Sequence, residues 1–223
     1  MESTGDNLAS HSALPGTFLE SLRGLEGAYL THSDPIRQSG FGGGAERWRS
    51  ERSPILEAVD SDGDFLDVGC ANGYLLECLV EWARERGVAL IPYGLDQGAQ
   101  LISLARQRLH RFADHFFVGN AWDWEPPRRF RYVYTLCDCA PEGFREEYLR
   151  RLMRRAVAPG GRLIVGAYGS RSRSLPPLDV ARLIRDSGLP VSGTAEGGDG
   201  PITRFAWTEN LASQDDSPTC DSR

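Results

Sequence analysis

The middle of the chain alternates between short apolar runs and amphipathic stretches. Five apolar runs have the length and composition of strands, and they occupy residues 64–69, 89–96, 115–119, 130–136 and 161–168. Apolar residues at helical spacing follow four of these runs, at 73–86, 98–110, 143–157 and 177–188. Because strands that alternate with helices pair in parallel, with helices covering the sheet, this pattern predicts an α/β fold.

The flanking segments extend this prediction at both ends. After the fifth run, two β-prone segments joined through Asp199-Gly200 indicate a closing hairpin. We therefore expect a doubly wound, mostly parallel sheet of about seven strands, with an antiparallel C-terminal hairpin and helices on both faces. Before the first run, the pattern predicts helices over 17–30 and 45–59, the second perturbed at Ser53-Pro54, with a glycine-rich segment between them.

The same patterns divide the chain into four segments. Residues 1–16 and 209–223 lack apolar periodicity and are predicted to be disordered ends, the second of them acidic. Residues 17–60 are predicted to form a helical lid or cap, and residues 61–208 the α/β domain. A length of 223 residues fits a single domain of this kind.

Composition narrows the possible functions. All 25 basic residues are arginines, so the chain has no lysine. Enzymes with a Walker phosphate loop or a lysine Schiff base are excluded, because arginine stays protonated and cannot replace lysine there. The formal net charge of −6 is concentrated at the two ends, and residues 35–208 carry only +1. This nearly neutral body disfavours a general nucleic-acid binder.

Cysteine content and hydropathy bear on the compartment. The five cysteines are odd in number and sparse for this length, which favours a reducing environment over a disulfide scaffold. The N-terminal residues contain no apolar signal core, and no run approaches the roughly 20 apolar residues that span a bilayer. We therefore predict a soluble, cytoplasmic protein without membrane contact.

Candidate chemistry follows the strand ends, because open α/β sheets bind ligands beyond the carboxyl ends of their strands. The segment DVGCANG (67–73) is a tight turn whose glycines permit a sharp bend and close approach of a ligand. Asp96 ends the second run, where a carboxylate can accept two hydrogen bonds from a ribose diol. Asn120 and Ala121 follow the third run and could meet an adenine edge. The structural alternatives are close helix packing for the turn, a helix N-cap for Asp96 and an ordinary turn for Asn120.

Four motifs in register carry a family resemblance. DVGCANG (67–73), GLDQ (94–97), VGNAWDW (118–124) and APGGRLIVGAY (158–168) together resemble the class I S-adenosylmethionine-dependent methyltransferases over roughly residues 60–170. In that family an acid precedes three glycines at alternate positions. Here Asp67, Gly69 and Gly73 match, and Ala71 replaces the middle glycine.

The resemblance implies S-adenosylmethionine as cofactor and a role for each motif. The glycine loop approaches the methionine part of the cofactor, Asp96 binds the ribose hydroxyls, and Asn120 with Ala121 reads the adenine, where the family often has an aspartate. Trp122 and Trp124 are candidates for walls of the adenine pocket, with core packing as the alternative. The expected cofactor-binding residues are Asp67, Gly69, Cys70, Ala71, Gly73, Asp96, Gln97, Asn120, Ala121, Trp122 and Leu136.

A nicotinamide dehydrogenase is the rival within the same architecture. Its dinucleotide fingerprint is G-x-G-x-x-G, whereas the turn here has G-x-x-x-G spacing. The turn also lies some sixty residues into the chain, behind a helical segment, and we expect no room for a second catalytic domain. These three features favour the methyltransferase interpretation.

The catalytic candidate lies after the fourth run, in CDCAP (137–141). This turn lacks the Asn/Asp-Pro-Pro-Tyr/Phe signature of methylation on bases and amides in the family. Asp138 is its only ionisable oxygen or nitrogen group, so we predict that Asp138 acts as general base or orients the acceptor. Capping of the helix near Pro141 is the structural alternative.

The cysteines and the lid complete the set of candidates. Cys137 and Cys139, with Cys70 nearby, could suggest zinc, but small buried fillers are expected and no metal is predicted. In the lid, apolar cover could come from Tyr29, Phe41 and Trp48, and a contact to the cofactor carboxylate from Arg47 or Arg52. The polar loop 169–173 could bind an anionic acceptor or only be solvated.

The predicted function is methyl transfer from S-adenosylmethionine to a small-molecule acceptor. An RNA methyltransferase and a non-catalytic S-adenosylmethionine-binding protein remain as alternatives. The sequence leaves the acceptor, the methylated atom and the oligomeric state open.

Overall fold

The computed structural model describes residues 14–200 and 202–211. Its seven-stranded sheet has the order β3-β2-β1-β4-β5-β7-β6. The strands are β1 (Gly63–Val68), β2 (Leu90–Asp96), β3 (Phe116–Val118), β4 (Phe130–Leu136), β5 (Val157–Tyr168), β6 (Gly193–Gly197) and β7 (Thr203–Glu209). The α-helices are α1 (Gly16–Leu30), α2 (Ala45–Arg52), α3 (Tyr74–Glu85), α4 (Ala99–Arg108), α5 (Arg145–Ala156) and α6 (Val180–Asp186).

Strand directions confirm the predicted fold class. Strands β1 to β5 pair with one another in parallel, whereas β7 is antiparallel to both β5 and β6. Two hydrophobic cores lie on opposite faces of the sheet, one under α3 and the other under α5 and α6. Along β1, Phe65 points into the first core, and Leu66 and Val68 point into the second.

Local sequence explains where the elements differ from their predicted bounds. The helix predicted over 45–59 is α-helical only to Arg52, and a 3-10 turn continues from Ser53 to Ala58, because Pro54 has no N–H to donate. Strand β5 begins earlier than predicted, at Val157, and its pairing with β4 jumps from Val157 to Arg162. Residues 158–161 therefore form a bulge within the strand rather than a turn before it.

The predicted ends lie mostly outside the described residues. Residues 1–13 and 212–223, which include Cys220, are among the residues that the structure does not describe. Leu14 is buried, helix α1 begins at Gly16, and Glu209 ends β7. The folded part therefore includes the inner edge of both predicted tails. Among the described residues, no helix has the length and apolarity that crossing a membrane requires.

The strand order reverses at β1, whose neighbours are β2 on one side and β4 on the other. Helices connected to the two halves cover opposite faces, so the carboxyl ends of these three strands open into a crevice. The turn that leaves β1 at this point contains three residues with positive φ: Gly69 (92°), Ala71 (46°) and Gly73 (73°). Glycine accepts this conformation freely, but Ala71 adopts it at a cost.

One carboxyl group is buried inside the sheet. Asp67, on β1, is 3% exposed, and no hydrogen bond to its side chain is found within the described residues. Burial, together with the charge of Asp96, raises the pKa of Asp67 to about 8. The group is therefore largely protonated in the folded protein at neutral pH, although it is ionised in an unfolded chain.

We predict that Ala71→Gly stabilises the protein. The substitution relieves the left-handed strain but adds backbone freedom to the unfolded chain, so a gain of up to about 1 kcal/mol in the free energy of unfolding is expected. Urea denaturation measures it. The control Ala83→Gly, within α3, is expected to lose about 1 kcal/mol or more. If Ala71→Gly lowered the free energy of unfolding as much as Ala83→Gly does, the backbone at Ala71 would not be strained.

We also predict that Asp67→Asn changes the pH dependence of stability. The folded-state pKa of Asp67 is raised, so the native state of the wild type holds a proton that the unfolded chain releases. The neutral Asp67 carboxyl contributes fully to stability below about pH 4. This contribution falls as the pH rises and is lost above about pH 8. The free energy of unfolding of the wild type should therefore fall relative to that of Asp67→Asn by at least about 1 kcal/mol between pH 5 and pH 8.

Urea denaturation of the wild type and Asp67→Asn at both pH values tests this prediction. Asp62→Asn is the matched control, because Asp62 is exposed and accepts one backbone hydrogen bond from Ala89. Parallel pH profiles for the wild type and Asp67→Asn would show that the buried carboxyl does not titrate in this range.

Candidate functional site

A cavity of about 370 Å³ lies at the carboxyl ends of β1, β2 and β4. Residues of the glycine loop and of three strand ends form one side of it, namely Gly69, Ala71, Leu95, Asp96, Gln97, Gly119, Asn120, Ala121, Leu136, Asp138 and Cys139. Residues of the N-terminal segment and α4 form the rest, namely Phe18, Ser21, Leu22, Leu25, Glu26, Tyr29, Ser39 and Leu101. Seven of the expected cofactor-binding residues and the catalytic candidate Asp138 thus meet at one cavity.

The glycine loop is held by hydrogen bonds to the end of β2. The N–H groups of Gly69 and Cys70 both donate to the carbonyl of Leu95, at 2.8 and 3.0 Å. The N–H of Ala71 donates to Oδ2 of Asp96 at 2.9 Å. Gly69 also packs closely, because a Cβ there would lie 3.0 Å from Sγ of Cys139. These contacts hold the loop at the edge of the cavity that Gly69 and Ala71 line.

Asp96 connects this loop to the beginning of α4. Its Oδ1 accepts a hydrogen bond from the N–H of Gly98 at 2.8 Å, while Oδ2 accepts the bond from Ala71. Burial raises the pKa of Asp96, and these two backbone donors act in the opposite direction. Each carboxylate oxygen can accept more than one hydrogen bond, so Asp96 can still accept from a ligand in the cavity it lines. The N-cap of α4 is Gly98, and no side chain caps it, so Asp96 is not the helix cap.

Asn120 shapes the turn after β3. Its Oδ1 accepts a hydrogen bond from the N–H of Trp122 at 2.8 Å, while Asn120 itself lines the cavity with Ala121. The ring of Trp122 packs away from the cavity, edge-on to Phe144 at 5.3 Å and beneath the guanidinium of Arg151 at 4.8 Å. The alternative of core packing therefore describes Trp122 better than a place in the cavity wall.

Three further residues of the expected cofactor set lie outside the cavity lining. Asp67 and Cys70 are buried in the first face of the sheet, at 3% exposure each. Gly73 begins α3, where a Cβ would come within 2.9 Å of Cβ of Ala105. Close packing of α3 against α4, the structural alternative for the turn, thus accounts for Gly73.

Helix α1 forms the wall opposite the sheet. The apolar residues that predicted this helix, Phe18, Leu22, Leu25 and Tyr29, all line the cavity, and no residue of α1 is buried. Its apolar side thus faces a space rather than a core. Burial raises the pKa of Tyr29, as do the charges of Asp138 and Asp96, so its hydroxyl stays neutral at physiological pH.

Three hydrogen bonds attach residues 16–39 to the α/β domain. Oε1 of Glu26 accepts a hydrogen bond from the N–H of Gln100, at the beginning of α4, at 3.2 Å. Nδ2 of the fully buried Asn72 donates to the carbonyl of Pro35 at 3.0 Å and to Oε1 of Gln38 at 3.2 Å. The sequence placed Asn72 inside the motif, but only the structure reveals that it binds the segment between α1 and α2.

The other lid candidates pack together outside this cavity. Phe41 and Trp48 contact each other edge-on at 5.4 Å and surround the guanidinium of Arg52, which stacks 3.6 Å above the ring of Tyr168. Arg47 pairs with Glu51 at 3.0 Å. Neither arginine lines the cavity, so the proposed contact with a cofactor carboxylate has no support in this arrangement.

Asp138 lies where this cavity meets a second, smaller one. It lines both, and more than a third of its surface remains exposed. The surrounding protein nevertheless raises the pKa of its carboxyl. No side chain caps the 3-10 turn at Glu142 or helix α5 at Arg145, so capping does not explain Asp138.

The cysteines around this turn are neutral thiols. Burial raises the pKa of Cys70, of Cys139, and of Cys137 to about 11. Thiols are poor metal ligands until they lose a proton. In the described part of the chain, no group of three or more His, Cys, Asp or Glu side chains is arranged to hold a metal ion.

Similar proteins are found among solved structures, although not among protein-family models or curated sequences. No protein-family model matches the chain, and no curated protein matches it. A chain of the complex between the Haloferax volcanii Trm112 methyltransferase activator and a methyltransferase is 15% identical, with a TM-score of 0.61 over 86% of this chain and 98% of that one.

Two further solved structures give the same result. The Synechocystis magnesium protoporphyrin IX methyltransferase with bound S-adenosylmethionine is 13% identical, with a TM-score of 0.60 over 90% of this chain and 99% of that one. An Aquifex aeolicus S-adenosylmethionine-dependent methyltransferase is 16% identical, with a TM-score of 0.55 over 81% and 96%. The protein therefore has the fold of the class I S-adenosylmethionine-dependent methyltransferases, in agreement with the resemblance of its motifs.

Proposed function

We propose that this protein is an S-adenosylmethionine-dependent methyltransferase that acts on a small-molecule acceptor. The observation that carries the proposal is the joint position of Asp96, the Gly69–Ala71 turn and Asn120 around one cavity at the strand ends. These are the residues whose sequence motifs resemble the family. Their meeting depends on the parallel register of β1, β2 and β3, which the motifs alone do not fix.

The chemistry of the cavity fits the cofactor. Its volume of about 370 Å³ lies within the range of small-molecule sites. Asp96 offers carboxylate oxygens of the kind that bind a ribose diol, and Asn120 with Ala121 offers the amide and backbone groups suited to an adenine edge. The apolar side chains of α1 would cover a ligand that lies between these groups.

When bound, S-adenosylmethionine supplies a methyl group on a positively charged sulfur, so the carbon is already activated for attack. The residues of the chain therefore need mainly to align the acceptor and exclude water. Helix α1 covers the cavity with apolar side chains, and the loop at Gly69 is fixed by its hydrogen bonds to β2. Both features favour one orientation of the reacting groups.

Asp138 is the proposed catalytic residue. It borders both cavities and retains access to solvent, so an acceptor in the smaller cavity can contact its carboxylate. A raised pKa makes this carboxylate a better acceptor for the proton of a hydroxyl or ammonium group than an ordinary aspartate would be. Asp138 would take the proton of a hydroxyl as its oxygen attacks the methyl carbon, and the proton of an ammonium group before its nitrogen attacks.

We predict that Asp96→Ala weakens cofactor binding by at least about tenfold, because two hydrogen bonds to a charged acceptor are lost. Isothermal titration calorimetry with S-adenosylmethionine and S-adenosylhomocysteine measures this change. Asp96→Asn, which keeps an acceptor oxygen for one backbone N–H, should lose less.

Asp179→Ala is the matched control for this experiment. Asp179 also accepts a backbone hydrogen bond, from Arg182 at 2.9 Å, but it lies outside the cavity. The Asp179→Ala variant should bind S-adenosylmethionine as tightly as the wild type does. Tight binding of NADH by the wild type, without binding of S-adenosylmethionine, would overturn the proposed function.

We predict that labelled methyl transfer reaches a low-molecular-weight metabolite extract rather than total RNA. With the acceptor so identified, Asp138→Asn should lower turnover about 10² to 10⁴-fold, as expected for loss of a general base. Full turnover of Asp138→Asn would exclude Asp138 as the base. Labelling of RNA alone would favour an RNA methyltransferase, and cofactor binding without any transfer would favour a non-catalytic role.

A further inference from the structure

The smaller cavity beside Asp138 has the properties of an acceptor site. Its volume is about 290 Å³, and it is lined by Leu136, Cys137, Asp138, Arg145, Ala167, Tyr168, Pro176 and Leu178. Leu136 and Asp138 also line the larger cavity, so the two cavities are neighbours that share part of one wall. A molecule in the smaller cavity would therefore lie beside a cofactor in the larger one.

Arg145 is the unusual residue of this cavity. Its Nε is buried without a hydrogen-bond partner, and within the described residues the side chain forms no ion pair. On the same helix, Arg150 and Arg154 both pair with Glu147 at 3.2 Å. Nε of Arg151 also lacks a hydrogen-bond partner, but that guanidinium lies over the ring of Trp122 and outside the smaller cavity. A buried donor without a partner is costly unless a ligand satisfies it.

Two further features favour an anion at this place. Arg145 is the first residue of α5, a helix of 12 residues, so the helix dipole adds to the positive charge of the guanidinium. The remaining walls are largely apolar, with Ala167, Pro176 and Leu178, and Leu178 is 42% exposed at the rim. The site therefore combines one cation, Arg145, and one carboxyl group, Asp138, with largely apolar walls.

The two arginines of the polar loop 169–173, which were candidates for binding an anion, make other contacts. Arg171 donates to the carbonyl of Asp199 at 2.9 Å and lies 3.7 Å from Glu51. Arg173 lies 3.4 Å from Oγ of Ser170. Neither arginine lines the smaller cavity, whereas Arg145 does. No sequence motif pointed to Arg145.

We propose that the methyl acceptor is a small organic acid whose carboxylate binds Arg145 while its nucleophilic atom lies beside Asp138. The inference rests on the proposed function and names its substrate class. A single planar guanidinium matches the geometry and charge of a carboxylate, whereas a phosphate would favour more than one cation. The apolar walls enclose the body of the acid.

The reaction balances with the groups at hand. The nucleophilic oxygen or nitrogen of the acid forms a bond to the methyl carbon, and the carbon–sulfur bond breaks with its electron pair left on sulfur. The proton of the nucleophile passes to Asp138 and then to water. The carboxylate on Arg145 does not react, so the methylated product remains an acid.

Binding of matched acids and amides tests the proposal. With the protein saturated by S-adenosylhomocysteine, ligand-observed NMR would measure the affinities of three probe pairs: 4-hydroxybenzoate with 4-hydroxybenzamide, benzoate with benzamide, and hexanoate with hexanamide. At least one acid should bind about tenfold more tightly than its amide. Arg145→Gln should weaken that acid about tenfold and leave the amide within about twofold.

Two control variants accompany the test. Arg154→Gln removes an exposed arginine of the same helix and should bind the probes as the wild type does. Arg145→Lys keeps the charge and should retain part of the preference for the acid. Should Arg145→Gln fail to fold, as judged by its thermal melt, Arg145→Lys and the wild-type comparison of acid with amide decide the question.

The outcomes separate this inference from the proposed function. Failure of S-adenosylhomocysteine to bind would count against the proposed function. If S-adenosylhomocysteine binds, two results would overturn only the carboxylate site. One is equal affinity for acids and amides, and the other is a preference for the acid that survives Arg145→Gln. In the labelled metabolite extract, retention of the methylated product on an anion exchanger at neutral pH would support it, and a neutral or cationic product would overturn it.

Discussion

The hydrogen bond from the N–H of Ala71 to Oδ2 of Asp96 holds the candidate site together. It joins the turn after β1 to the end of β2, and the parallel register of these strands, with Val68 opposite Leu95, makes it possible. The bond helps to keep Ala71 in its left-handed conformation, which directs the following Asn72 into the protein. The lid then attaches to Asn72. This bond thus connects the floor of the cavity, its carboxylate and, through Asn72, the residues that attach its cover.

The cover itself is held weakly compared with the sheet. Helix α1 has no buried residue, and its polar attachment to α4 is the bond from Gln100 to Glu26. An element with few buried contacts opens at a lower free energy than the core does. A ligand in the cavity would supply the apolar contacts that α1 lacks, so binding and closure of the lid are expected to be coupled.

Electrostatics divide the site into two parts. Around the larger cavity lie the carboxyl groups of Asp96 and Asp138, with that of Asp67 buried close to Asp96, and burial raises the pKa of all three. The guanidinium of Arg145 lines the smaller cavity, and within the described residues it forms no ion pair. Such an arrangement suits a cationic ligand in the first space and an anionic one in the second, as the proposed cofactor and acceptor would be.

The sequence by itself determined the strands, the helices and the positions of Asp96 and Asn120, because periodicity and turn residues act over a few neighbouring residues. It could not show that Trp122 packs on Phe144, or that Arg145 meets Asp138 at a second cavity. Trp122 and Phe144 are well separated along the chain, and the second cavity joins the neighbouring residues Asp138 and Arg145 to distant ones such as Ala167 and Leu178. Sheet register and helix packing bring these segments together. Only the tertiary structure could therefore decide which polar groups of the motifs face a ligand and which are satisfied within the protein.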